Sequence, residues 1–210
     1  MIPYRFIFLL LVACLTPLFA GCFGTSTPTR FYTLSPPENR SGQAPPGFEA
    51  VLVVDPVYIP DYLDRRQIVS RSGQNGIVLA EFDQWSSSLD DEITRVLVAG
   101  IAERLAPLPI AVLSGKSLAM DDTGREYRIP VKVSRFDGVR GGTVVLNASW
   151  GAVEKRDKRE KYLFTQQSAI KEDVAGNSYE ALVAAMGRAA GKLGREIADR
   201  LAPLLEKGNP

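Results

Sequence analysis

The chain has 210 residues, of which 45% are apolar and 23% charged; this excludes a mainly disordered or collagen-like protein and fits one globular domain with a short appendage. Lys and Arg total 25 against 24 Asp and Glu, and the resulting formal charge of +1 argues against a nucleic-acid binder. There is no histidine, and the two cysteines, Cys14 and Cys22, both lie near the start, which removes Ser-His-Asp and Cys-His catalysis, His-ligated zinc and any disulfide in the body of the chain.

The first element is an address. Arg5 gives a positive start, an apolar run follows to Cys14, and small residues precede Cys22, which is the layout of a secretory signal peptide over residues 1–21. The run is broken by Thr16 and Pro17 and falls short of the roughly 20 residues that a membrane span needs. Leu18-Phe19-Ala20-Gly21-Cys22 resembles the lipobox of bacterial lipoproteins, with Phe19 where Leu is usual. That resemblance implies diacylglycerol on the Cys22 thiol, cleavage before Cys22 and acylation of the new amine. Phe23 stands where an Asp would favour the inner membrane, so the signal points to the outer membrane, facing the periplasm. Loss of residues 1–21 leaves 24 basic and 24 acidic side chains. Net charge then cannot hold the chain to anionic headgroups, and acyl chains, at about 0.8 kcal/mol per buried methylene, must do so.

Residues 22–48 read as a lipidated tether and a proline-rich loop, with a short strand at Phe31-Tyr32-Thr33-Leu34. The domain proper is expected over 49–206, with residues 207–210 as a tail. Val51-Leu52-Val53-Val54 suits a buried strand. Pro56 and Pro60 make Val57 to Leu63 extended but irregular. Gln67 to Arg71 and Gly76 to Glu81 form a hairpin. A helix begins near Ser86–Ser88, whose hydroxyls can accept backbone N–H bonds, and Asp90, Asp91 and Glu92 suit its positive end. Leu89, Ile93, Val96, Leu97, Ile101 and Leu105 keep helical spacing, and Pro107 stops it.

A short strand at Ile110 to Leu113 follows, then three antiparallel strands over 127–170 with a charged tip at Glu154 to Lys161. The last helix runs from about Ser178 to Leu205, where Asn177 and Glu180 resemble a capping box and small residues such as Gly187, Gly191 and Gly194 permit close approach. The order of elements predicts a single α+β domain, a mostly antiparallel sheet with two long helices packed on one face.

No catalytic, cofactor-binding or metal-ligating set is assembled by the sequence. Ser114-Gly115-Lys116-Ser117 ends like a P-loop, but Ile110 stands where its first glycine belongs, so a turn is the better reading. Asp90, Asp91 and Glu92 are helix neighbours and do not share a face, which fits a dipole role rather than a metal site.

Val51 to Arg71 (VLVVDPVYIPDYLDRRQIVSR), Leu79 to Trp85 (LAEFDQW) and the helix after them resemble the PqiC/YmbA family of ABC-type transport auxiliary lipoproteins. The matching pieces are Tyr62 to Arg65, Ile68 to Arg71, Trp85, and the Phe31 to Leu34 segment after the lipobox. The resemblance implies a non-enzymatic periplasmic lipoprotein, held in the outer membrane, beside an MCE-domain protein and its ABC transporter partners in intermembrane lipid transport. A homo-oligomeric ring would complete a conduit. The other reading is a structural or assembly-factor lipoprotein of another envelope complex. Tyr58, Tyr62, Leu63, Arg65, Arg71 and Trp85 are the candidate partner interface. The competing assignment puts Tyr62 and Trp85 in the core, with Arg65 and Arg71 paired to Asp64 and Asp83.

Overall fold

Two periodicities, alternation in strands and 3.6 residues in helices, direct apolar side chains into one core. The computed structural model describes residues 27–35, 48, 50–115, 125–156 and 159–207. Within them the order is β1 (Arg30–Tyr32), β2 (Ala50–Val54), β3 (Gln67–Ser72), β4 (Gly76–Trp85), α1 (Leu89–Leu105), β5 (Ile110–Ser114), β6 (Arg125–Ile129), β7 (Val131–Gly138), β8 (Thr143–Arg156), β9 (Arg159–Asp173) and α2 (Tyr179–Lys207). The fold is α+β in one domain, as the sequence predicts.

One sheet has the order β1-β4-β3, and the larger runs β5-β2-β6-β8-β7 with β9 also on β8. Both are mixed rather than purely antiparallel: β1 is parallel to β4, and β2 is parallel to β5 and β6. Strands that run the same way need a crossover, and α1 supplies it between β2 and β5. The first of the three strands expected over 127–170 is divided at Pro130, which has no N–H to donate. Its halves, β6 and β7, pair successive stretches of one edge of β8.

Both helices cover one face of the larger sheet. Val144, Leu146, Ala148, Trp150 and Ala152 of β8 point inward and are buried with Ile93, Leu97 and Ile101 of α1 and Leu182, Met186, Leu193, Ile197 and Leu201 of α2. Each large side chain so buried contributes about 1.5–3 kcal/mol. Trp150 meets the Phe164 ring edge-on at 5.7 Å and donates its Nε1–H to Ser168 Oγ at 2.8 Å, and Ser168 donates in turn to Glu196 of α2.

The caps differ in detail from the sequence pattern. Ser88 precedes α1 but makes no side-chain bond to a backbone N–H; its hydroxyl donates to Asp91 instead. At α2 the acceptor is Ser178, whose Oγ takes the Ala181 N–H at 3.1 Å, one residue later than the Asn177 pattern. Lys116, Ser117, Asp121 and Asp122 lie outside the described residues, as does the centre of the charged tip at Asp157 and Lys158.

The segment around β1 is stitched into the body. Tyr32 donates its hydroxyl to Asp83 at 2.7 Å, Arg30 also bonds Asp83, and the buried Glu92 carboxylate accepts the Leu34 N–H at 2.8 Å. Glu92 therefore has a partner in space as well as a place at the helix end. A side chain at Gly187 would bring its Cβ within 3.0 Å of the Ser35 carbonyl oxygen, so this glycine lets the N-terminal segment cross α2.

Candidate functional site

The irregular stretch after β2 is held by its backbone. Tyr58 donates its N–H to the Val131 carbonyl at 3.0 Å and accepts from the Val133 N–H at 2.8 Å, so the chain rides along β7 as a short parallel bridge. This places Val57 and Ile59 inward and Tyr58 outward, 57% exposed. A tight turn follows, closed by the Leu63 N–H on the Pro60 carbonyl and the Arg65 N–H on the Leu63 carbonyl. Leu63 is buried by it.

The turn delivers Tyr62 to a buried carboxylate. Asp137 of β7 is fully buried and accepts from Tyr62 Oη at 2.7 Å, Arg71 Nε at 2.8 Å and Arg135 Nε at 2.9 Å. Tyr62 and Arg71 come from the irregular stretch and the smaller sheet, and Arg135 from β7, so the carboxylate clasps the two sheets together. Burial pushes the Asp137 carboxyl up, but the bonds from Arg71, Tyr62 and Arg135 and the charge of Arg135 outweigh it and hold the group below its ordinary value. Burial, the bond to Asp137 and the nearby negative charge push the Tyr62 hydroxyl up to about 12.

That shift makes a prediction. Between the ordinary tyrosine value of about 10 and the folded value, the unfolded chain loses the Tyr62 proton while the folded chain keeps it, so stability is present below pH 10 and falls as pH rises through about 12. Tyr62→Phe lowers stability at neutral pH by about 1.5 kcal/mol, the worth of a bond to a charged group, and flattens the alkaline fall. Tyr32 and Tyr127 are shifted upward too, so part of the slope remains. Urea unfolding at pH 8, 10 and 11 reads both effects.

Of the six sequence-predicted residues, Tyr58 alone is freely exposed. Trp85 and Leu63 are buried, and Tyr62 and Arg71 are turned to Asp137. The partners foreseen in the competing assignment change: Arg71 takes Asp137, and Asp83 takes Arg30 and Tyr32. Arg65 is half-buried, and its Nε has no hydrogen-bond partner among the described residues. Leu63 and Trp85 are thus in the core, Tyr62 and Arg71 are half-buried on Asp137 near the end of β7, and Tyr58 stands on the outer surface beside Lys132 near its start.

Sequence reasoning missed the other side of that surface. Tyr162 of β9 is 76% exposed and, with Tyr58, flanks an open groove of about 410 Å³ on the sheet face away from the helices, lined also by Pro56, Lys132, Gly151 and Thr165. Lys132 Nζ lies 5.2 Å from the Tyr58 ring centroid, a cation–π contact. Exposed tyrosines offer a large apolar area with a polar tip, the chemistry that protein interfaces favour. Nothing local marks Tyr162; only the β8–β9 pairing, with Val153 opposite Tyr162, carries it to this face. Cys22 lies outside the described residues.

Residues 32–198 match the family model of the ABC-type transport auxiliary lipoprotein component. The chain belongs to this family. The auxiliary lipoproteins include a relative from Escherichia coli strain K12, the intermembrane transport lipoprotein PqiC, which is 27% identical over 153 residues, 70% of this chain and 78% of that protein. A Shigella flexneri protein of the same name matches to the same extent. Among solved structures, a protein from Xanthomonas campestris superposes with a TM-score of 0.61 at 15% identity, covering 81% of this chain and 93% of that one. A crystal structure of an uncharacterized protein gives 0.65 at 19% identity, covering 83% and 99%. These two show that the auxiliary lipoproteins' fold recurs in experimental structures. Among the described residues, no helix is long and apolar enough to cross a membrane.

Proposed function

We propose that this chain is a non-enzymatic periplasmic lipoprotein, acylated at Cys22 in the outer membrane, that docks an MCE-domain protein and its ABC transporter partners in intermembrane lipid transport. The observation that carries this reading is the family match across residues 32–198, joined to the lipobox at Leu18 to Cys22. The physical need is plain. Each lipid methylene exposed to water costs about 0.8 kcal/mol, so a lipid must cross the periplasm in a shielded conduit, and the conduit's far end must be held in place. A ring of copies suits that task, because head-to-tail contacts close into rings.

Within this reading the Tyr58–Tyr162 face meets the partner, while Leu63 and Trp85 fill the core and Tyr62 and Arg71 hold the smaller sheet to Asp137. Charge reversal at Arg71 is a poor test, since it would set two acids side by side at Asp137. Tyr58→Ala is the clean one. It changes stability by less than about 0.5 kcal/mol, because the ring is exposed, and weakens partner recovery about tenfold or more if Tyr58 is an anchor of the interface. Affinity purification from membranes in mild detergent reads the result. An MCE-domain protein that co-purifies with the wild type and is lost from Tyr58→Ala supports the proposal. Recovery of a β-barrel or polysaccharide machine instead supports the assembly-factor reading.

A further inference from the structure

The hairpin joining β3 to β4 carries an apolar run with no part in the site above. Ile77, Val78 and Leu79 are consecutive and 43%, 40% and 42% exposed. Successive strand residues point to opposite faces, so this ribbon shows apolar side chains on both. From Ser72 through Ala80 there is no charged residue. One edge of this run pairs with β3, Val69 opposite Leu79 and Arg71 opposite Ile77. On the other edge β1 covers Asp83 to Trp85, and no strand pairs with residues 77–82 among the described residues. Proteins ordinarily blunt such an edge with charge or cover it.

The direction of the incoming chain indicates what covers it. β1 is parallel to β4 with Arg30 opposite Asp83, so the backbone reaches Arg30 from the side of the hairpin tip. Arg30 is fixed there by its bond to Asp83. The eight residue steps from Cys22 to Arg30 span at most about 29 Å. From Asp83 back to Gly76, β4 extends over seven residue steps, about 24 Å, toward the same side. A bilayer that holds Cys22 can be no farther from Arg30 than this reach, which is nearly the length of the ribbon.

We propose that Ile77, Val78 and Leu79 sit in the headgroup–acyl boundary of the bilayer that holds Cys22, as a second membrane contact that sets the tilt of the domain. This rests on the reading that Cys22 is acylated. Acyl chains at the end of a tether fix distance but not orientation, and an apolar wedge beside them fixes both. The contact is shallow, because the N–H and C=O groups of the β4 edge, which no strand among the described residues pairs, need water or headgroups and cannot enter hydrocarbon.

The test uses the full chain, exported and processed, carrying Val78→Cys. Cys14 leaves with the signal peptide and the Cys22 thiol is acylated, so the new thiol takes an environment-sensitive fluorophore. The lipoprotein is reconstituted in phosphatidylethanolamine–phosphatidylglycerol vesicles containing spin-labelled lipids. Tyr162→Cys is the control, since Tyr162 pairs with Val153, at the opposite end of β8 from Val145, the partner of Asp137. The expected result is a blue-shifted probe at position 78, quenched several-fold more by shallow spin labels than the probe at 162. Equal, water-like emission at both positions overturns the proposal. A blue shift that persists without lipid and resists lipid quenchers also overturns it, because a second copy of the chain then covers the tip. Mass spectrometry of the same sample separates the two ideas: bare Cys22 sinks the anchoring reading and this proposal together, and acylated Cys22 with a water-like probe sinks this proposal alone.

Discussion

Asp137→Ala lowers the unfolding free energy by about 3 kcal/mol, read as a fall in the urea midpoint with an unchanged denaturant slope. Removing one side of a buried ion pair generally costs about 3–5 kcal/mol, because the other side is left charged and unpaired. The lower end applies here, since the arginine side chains keep 19% (Arg71) and 35% (Arg135) of their exposure and can recover some water. The Tyr62 hydroxyl has less freedom and loses its acceptor outright. The effect also has a pH signature. The folded Asp137 carboxyl is held below its unfolded value, so its stabilisation is present above about pH 4 and is lost as pH falls through the folded value. Glu172 behaves likewise: burial pushes it up, but bonds from Lys192 and Arg188 outweigh this. Asp137→Asn therefore flattens only part of the acid limb, and the Glu172 part remains.

The Asp137 clasp explains why the fold was more legible in the sequence than the site. Apolar period and turn chemistry placed the hairpin at residues 67–81, the helix over Leu89 to Leu105, and the β8–β9 arm, because each depends on neighbours along the chain. The irregular stretch offered no period, and its aromatic and basic residues fitted a surface and a core equally well. What decided between them was an acid from a strand more than sixty residues away. A register shift between Val133 and Arg135 changes which side chains of β7 face the helices, and the smaller sheet then covers Asp137. No local pattern announces either event. Cross-strand placement likewise hid Tyr162, and the mixed sheet direction hid in the crossover, since a strand's own residues do not state which way its neighbour runs.

The small residues of α2 were legible in kind but not in target, and they carry the second large effect. Gly194 faces α1 so closely that an added Cβ would lie 3.3 Å from the Leu97 carbonyl oxygen and 3.6 Å from Gly100 Cα. Gly194→Leu must push the helices apart, opening the layer formed by Ile93, Leu97, Leu193 and Ile197, all fully buried. Overpacking of this kind costs about 1–3 kcal/mol, occasionally more, and the lost contacts along two long helices put the expected loss at the upper end, about 3 kcal/mol. Gly100 makes the contrast. A Cβ there meets Gly191 O at 3.6 Å and Gly194 Cα at 3.7 Å, ordinary contact distances. Gly100→Ala should therefore be tolerated and gain up to about 1 kcal/mol from helix propensity. Thermal and urea unfolding of the two variants should move in opposite directions. If Gly194→Leu matched the wild type, the helices would not be held at this separation by their glycines, and the layer would owe its spacing to the sheet beneath.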